Sequence, residues 1–229
     1  MGARPRAALV ALILPTELLE AELYELVDGI ADAQRSYACP VIGGNLAVGS
    51  ALSITTTVIG SASDSVLTRS GCRVGDALYI AGELGSAALG LLLLQAGHSE
   101  LGVHCVARWR RPVARIDDGL ALLGIATGAI DVSDGLLQDA GHLAEASGVG
   151  FDIELERLPL HDELVEAART LGIDPIALAV SGGEDYGLLF TVPLGVSPPV
   201  GTRIGVATSS QSVRLIDDTG QQATPAGEG

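Results

Sequence analysis

Apolar positions along the chain follow two alternating periods. Ala7 to Leu14 is a continuous apolar run closed by Pro15-Thr16-Glu17, the pattern of a buried strand. From Pro15-Thr16 the spacing turns helical and holds through about Ser36, with Leu18, Leu19, Leu23, Leu26, Val27 and Ile30 on one face. Glu17, Glu20 and Glu22 occupy its first turns, where the helix dipole favours acids. Cys39 to Ile42 reads as a short strand ending at Gly43-Gly44, and the β-branched run Ala51 to Ile59 as another. Periodicity then lapses from Gly60 to about Gly75, where Gly and Ser are frequent. That lapse predicts a boundary near residue 65, and so domains 1–65 and 66–229.

Beyond it, strands are expected at Ala77 to Ala81, Ala129 to Val132, Val149 to Leu155, Tyr186 to Val192, Arg203 to Val206 and Val213 to Ile216. Helices are expected at Ser86 to Ala96, Val113 to Thr127, Leu136 to Ser147, His161 to Leu171 and Asp174 to Val180. The tail from Asp217 to Gly229 is rich in Gly, Gln and Thr and is expected to fray. Interleaved strands and helices place the chain in the mixed α/β class.

Composition narrows the functional classes. Against 28 acids stand 13 basic residues, all of them Arg, for a net charge of −15. Such a body repels a nucleic-acid backbone, and an aromatic share of 3% leaves little to stack on bases. With no Lys, a P-loop lysine, a Schiff base and a lysine general base are excluded. Nucleotide binding stays open if divalent ions bridge carboxylates to phosphates. Cys39, Cys72 and Cys105 are odd in number and widely spaced, which fits idle thiols in a reducing compartment rather than disulfides or zinc. Ala7 to Leu14 after Arg4 and Arg6 imitates a signal peptide but lacks a small-residue cleavage site, and Ala87 to Leu94 is too short to span a bilayer. A soluble, cytoplasmic protein is the expectation.

Four short stretches could carry chemistry. Asp131-Val132-Ser133-Asp134-Gly135 joins a strand end to a helix start, where free backbone N–H groups suit phosphate and two nearby carboxylates suit a divalent ion. Equally, Ser133 or Asp134 could simply cap the helix. In Ser181-Gly182-Gly183-Glu184-Asp185-Tyr186 the glycines allow close approach and the two acids point to opposite sides, although a tight loop with solvated acids explains it as well. Gly43-Gly44-Asn45 at a strand end could admit a phosphate or a metal-bound water, or be an ordinary turn. Arg69, in a Gly/Ser-rich loop, could reach a phosphate bidentately or lie idle on the surface. Trp109 with Arg108, Arg110 and Arg111 makes a small basic rim cluster, and the four His show no ligand spacing.

Taken in order, these stretches resemble a known family. "CPVIGGNLAVGSALSITTTVIG", "LTRSGCRVGDALYIAGELGSAALGL", "IDVSDGLLQDAGHLAEASGVG" and "VSGGEDYGLLFTVP" are similar to thiamine-monophosphate kinases, relatives of aminoimidazole ribonucleotide synthetase, selenophosphate synthetase and a hydrogenase maturation protein. The resemblance covers most of residues 1–206. It implies the two-domain fold of that superfamily, with an α-β sandwich as C-terminal domain. It implies transfer of the γ-phosphoryl group of ATP to thiamine monophosphate with Mg²⁺, without a phosphoenzyme and without catalytic groups beyond metal and substrate ligands.

Residue by residue, Asp131 and Asp134 match Mg²⁺ ligands, and Asn45 stands where many members carry a metal-binding Asp. Ser133, Arg69, Gly44 and Asn45 match nucleotide contacts, and Glu184 a contact to the thiamine phosphate. The resemblance also implies that Met1 corresponds to a point inside the first domain, downstream of a Gly-Asp-Asp segment with further Asp ligands. The first sheet, the metal set and the family's homodimer through that sheet are then expected to be incomplete. The tail lacks the relatives' aromatic end, and Gly187 stands where relatives often carry Glu. The competing expectations are an ATP-dependent cyclo-ligase of the same superfamily and a non-catalytic remnant.

Overall fold

The computed structural model describes residues 1–63 and 65–223. By contact density the chain divides into Ala3–Asp64 on one side, and Met1–Gly2 with Ser65–Gly229 on the other.

In the smaller unit, β1 (Ala3–Pro15) is the middle of three strands. Helix α1 (Glu20–Tyr37) is the crossover that allows β2 (Val41–Gly49) to pair parallel with β1. β3 (Ser53–Ala62) pairs antiparallel on the other edge. Pairing on both edges explains why β1 runs well beyond its apolar core at residues 7–14. Gly43-Gly44-Asn45 corrects the sequence expectation: it lies inside β2, opposite Leu9, Val10 and Ala11, not at a strand end. The glycine has a steric reason there, since a Cβ on Gly44 would stand 1.7 Å from the carbonyl oxygen of Val10. α1 buries no residue, and β3 is exposed over nearly its whole length.

The larger unit is built on a seven-stranded sheet in the order β10-β9-β6-β8-β4-β7-β5. Its strands are β4 (Ala77–Ala81), β5 (Gly128–Val132), β6 (Gly150–Glu154), β7 (Gly187–Val192), β8 (Thr202–Thr208), β9 (Val213–Ile216) and β10 (Gln222–Ala223). Alternation sorts the side chains by face. Leu78, Ile80, Ile130, Val132, Leu189 and Ile204 join Leu136, Ala140 and Leu143 of α5 (Leu136–Ser147) in one core. Ala77, Ala81, Ala129, Leu188, Phe190 and Val192 pack with Leu67 and Leu122 on the other face. β7 is therefore buried at every position. A third cluster joins α2 (Ser86–Ala96), α3 (Val103–Arg110) and α6 (Asp162–Leu171) through Leu89, Leu93, Cys105, Val106, Leu164 and Ala168. A short helix, α7 (Pro175–Ser181), leads into β7.

Two helical expectations fail. The helix drawn over 113–127 is only α4 (Ile116–Ala121). Gly124, at φ +74°, turns the chain so that Leu122, Leu123, Ile125 and Ala126 reach the sheet from irregular turns. α3 went unseen because it buries only Cys105 and Val106, too few to set a period. The tail is ordered further than expected: Asp217 accepts the amides of Thr219 and Gln221, and Gln222–Ala223 pairs with β9. Residues 224–229 lie outside the described chain. The three thiols are buried, and no described helix is long and apolar enough to cross a membrane.

Candidate active site at the ends of β4, β5 and β7

The register brings three chain segments to one end of the large sheet. Val132 closes β5 opposite Gly187, which opens β7, and Ala81 closes β4 opposite Leu188. The turn after β5, the loop before β7 and the approach to α2 therefore meet. Glu184 donates its amide to the carbonyl of Ser133 at 2.8 Å, and Tyr186 donates to the carbonyl of Val132 at 2.8 Å. Gly183 is required by that closeness: a Cβ there would lie 2.6 Å from the carbonyl oxygen of Ser133.

The turn 133–135 is not held as a side-chain N-cap. The cap position is Gly135, at φ +124°, and no side chain bonds it as a cap, so neither Ser133 nor Asp134 serves as one. Asp139, buried one turn into α5, reaches back instead. Its Oδ2 accepts the amides of Ser133 at 2.9 Å, Asp134 at 3.0 Å and Gly135 at 3.2 Å. One carboxylate thus holds three consecutive amides of the turn that leads into α5, the last of them at the cap position. Asp134 is exposed and accepts from Gln138 at 3.1 Å, Asp131 is half-buried, and neither has a further side-chain partner among the described residues.

The loop 181–186 separates its two acids. Asp185 is buried, and its carboxylate caps the start of α2 through the amides of Gly85 at 2.6 Å and Ala87 at 3.2 Å. The solvated-acid reading is thereby corrected for Asp185. Burial pushes its carboxyl up to about 6, although both amides and Arg108 pull the other way. Glu184 is exposed and left-handed at φ +70°; Tyr186, half-buried, is left-handed as well at φ +50°. The Tyr186 hydroxyl donates to Glu184 Oε2 at 2.9 Å. That bond, burial and the negative field of Glu184, Asp131 and Asp134 push the phenol above its ordinary value. Of these acids Glu184 is the one bonded to the hydroxyl.

The other expected site residues stand apart. Arg69 is exposed beside the start of β5, where Ala129 donates to the carbonyl of Thr68 and Ser147 Oγ donates to the carbonyl of Arg69. Its guanidinium is unpaired among the described residues. Gly44 and Asn45 belong to the smaller unit. Asp134, Asp139 and His142 each bring one ligand atom within 4.8 Å of the others, as do Glu83, His104 and His161. In the second group the imidazoles stack at 3.8 Å and 10°. A metal must lie near the plane of each ring that binds it, and stacked planes share no such point. Asp139 had no assigned role in the sequence, and Asp185 and Tyr186 entered it only as neighbours of Glu184 in the 181–186 stretch. Their one signal was position: an acid four residues after Gly135, and an acid and a Tyr next to Glu184.

An acidic strand-end turn joined to a Gly-Gly-acid loop on this mixed sheet places the chain among two-unit proteins that combine α-helices with β-sheets. The chain belongs to the AIR synthase related protein family: residues 1–62 match its N-terminal domain and 73–194 its C-terminal domain. It is similar to the thiamine-monophosphate kinase of Aquifex aeolicus (strain VF5), 37% identical over 84% of this chain and 63% of that one. The Escherichia coli (strain K12) enzyme is 40% identical over 84% of this chain and 60% of its own length. Among solved structures, AaThiL complexed with AMPPCP and TMP matches with a TM-score of 0.89 at 35% identity, over 98% of this chain and 73% of that one. The chain thus spans about three-fifths of the length of the curated relatives it matches.

Two outcomes follow from the buried acids. Asp139→Ala strands three amides, and urea unfolding should show a loss of about 3 kcal/mol; an unchanged midpoint would show that water replaces the carboxylate. For Asp185 the folded chain holds the proton more tightly than the unfolded one. Its contribution is therefore full below about pH 4 and fades as pH rises through about 6. Melting curves of Asp185→Asn should decline less across that interval than those of the parent protein.

Proposed function

We propose that the chain is a thiamine-phosphate kinase, transferring the γ-phosphoryl group of ATP directly to thiamine monophosphate. The observation that carries this reading is the backbone bond from Glu184 to Ser133, which ties an acceptor-side residue to the acidic turn. The similarity to thiamine-monophosphate kinases, and a relative's complex with AMPPCP and TMP, support it.

Asp131 and Asp134 fit Mg²⁺. They are hard oxygen donors with no cation paired to either among the described residues, Asp131 near the end of β5 and Asp134 in the turn whose backbone Asp139 fixes. Bound there, Mg²⁺ would neutralise phosphate charge that a lysine-free chain of net charge −15 cannot. Ser133 and the unpaired Arg69 contact the nucleotide, Arg69 with a fork matched to phosphate oxygens. In this reading Gly44 and Asn45, in the smaller unit, belong to the residues that match nucleotide contacts of the family. Glu184 orients the acceptor. An oxygen of the acceptor phosphate forms the new bond to the γ-phosphorus as the bond to the β,γ-bridging oxygen breaks, releasing ADP. Cytoplasmic residence belongs to this reading, as does a homodimer through the small sheet. Ile42, Leu46, Val48, Ile54, Val58 and Ile59 stand exposed there, an apolar surface of the kind that drives association.

The first test is ADP release from Mg·ATP by this chain with and without thiamine monophosphate. Release that depends on the acceptor sustains the kinase; binding of Mg·ATP without turnover leaves a binding module. Asp131→Asn should weaken Mg²⁺-dependent nucleotide binding by at least about tenfold, or about 1.4 kcal/mol. Unchanged affinity removes Asp131 from the metal site. Sedimentation over a concentration series should give a dimer, and a monomer throughout rejects that interface.

A further inference from the structure

One enclosed cation takes no part in the chemistry proposed above. Arg108, on α3, belongs to the basic cluster around Trp109, and its side chain is only 13% exposed. The guanidinium spans two groups. Its Nε lies 3.1 Å from Glu83 Oε1, and a terminal nitrogen donates to the main-chain carbonyl of Asp185 at 3.2 Å. Glu83 is fixed in turn by His104 Nε2 at 2.5 Å. The His104 ring stacks on His161, and its amide donates to Glu163 at 2.6 Å.

Asp185 is thereby held from both ends, by α2 through its carboxylate and by Arg108 through its carbonyl. That carbonyl defines the peptide plane entering Tyr186, whose φ is +50°. A non-glycine residue keeps such an angle only where its surroundings fix the adjoining peptide planes. Tyr186 passes the constraint on, since its hydroxyl is bonded to the Glu184 carboxylate.

We propose that Arg108 is a positioning residue for acceptor recognition: by clamping the Asp185 carbonyl it fixes Tyr186, and through Tyr186 the Glu184 carboxylate that meets thiamine monophosphate. The inference rests on the kinase reading and deepens it. Arg108 touches neither substrate, so its removal should affect the acceptor and spare the nucleotide.

The test is calorimetric titration of the whole chain with thiamine monophosphate, and separately with a non-hydrolysable ATP analogue plus Mg²⁺. Arg108→Met keeps the bulk of the stem and removes the fork. Its acceptor affinity should fall by at least about tenfold while nucleotide affinity stays within about twofold. The amides of Glu184 and Tyr186 should exchange with solvent faster than in the parent. Acceptor binding equal to the parent's, or an equal loss for both ligands, overturns the proposal. If Arg108→Met does not fold, Arg108→Lys decides by the same selectivity, with a loss of about threefold or more expected, because an ammonium is a single point rather than a fork. Parent protein that binds nucleotide but no thiamine monophosphate overturns the kinase reading itself, and this proposal with it.

Discussion

The carboxylate of Asp139 is the constraint from which the site follows. One buried oxygen accepts three consecutive amides at the start of α5. The bonds fix the backbone of the turn that leads into the helix. With Gly135 at the cap position, the Ser133 and Asp134 side chains take no part in capping. The turn can then offer its Ser133 carbonyl to Glu184, which fastens the second loop to the first.

Asp185 repeats the arrangement on α2. A buried acid satisfies a helix start, and the acid beside it in sequence, Glu184, is left exposed. The molecule thus divides its carboxylates by burial. The enclosed pair hold backbone, Asp185 at a desolvation cost that its amide donors only partly offset, while Asp134 and Glu184 stay exposed and Asp131 half-buried.

Much of this was legible from residues alone. The apolar runs at 77–81, 129–132 and 187–192 have strand length and flanking glycines, and each is a strand. Asp131-Val132-Ser133-Asp134-Gly135 announced itself by falling between a strand and a helix. Where the reading failed, the missing term was tertiary. Gly43-Gly44 looked like a stop because glycine leaves strands readily, but a neighbouring strand close enough to exclude a Cβ kept it paired. Arg108 reads in sequence as part of a basic rim cluster with Trp109, Arg110 and Arg111, and only the fold places Glu83 and the Asp185 carbonyl against it.

The sequence by itself determined the class of fold, the family and the candidate ligand residues, because hydrophobic period and local motif are properties of neighbouring positions. It could not decide which acids are structural and which are free. Asp134 and Asp139 are alike as residues, as are Glu184 and Asp185. Only the tertiary structure, by enclosing one of each pair among backbone amides and leaving the other in water, assigned them opposite tasks.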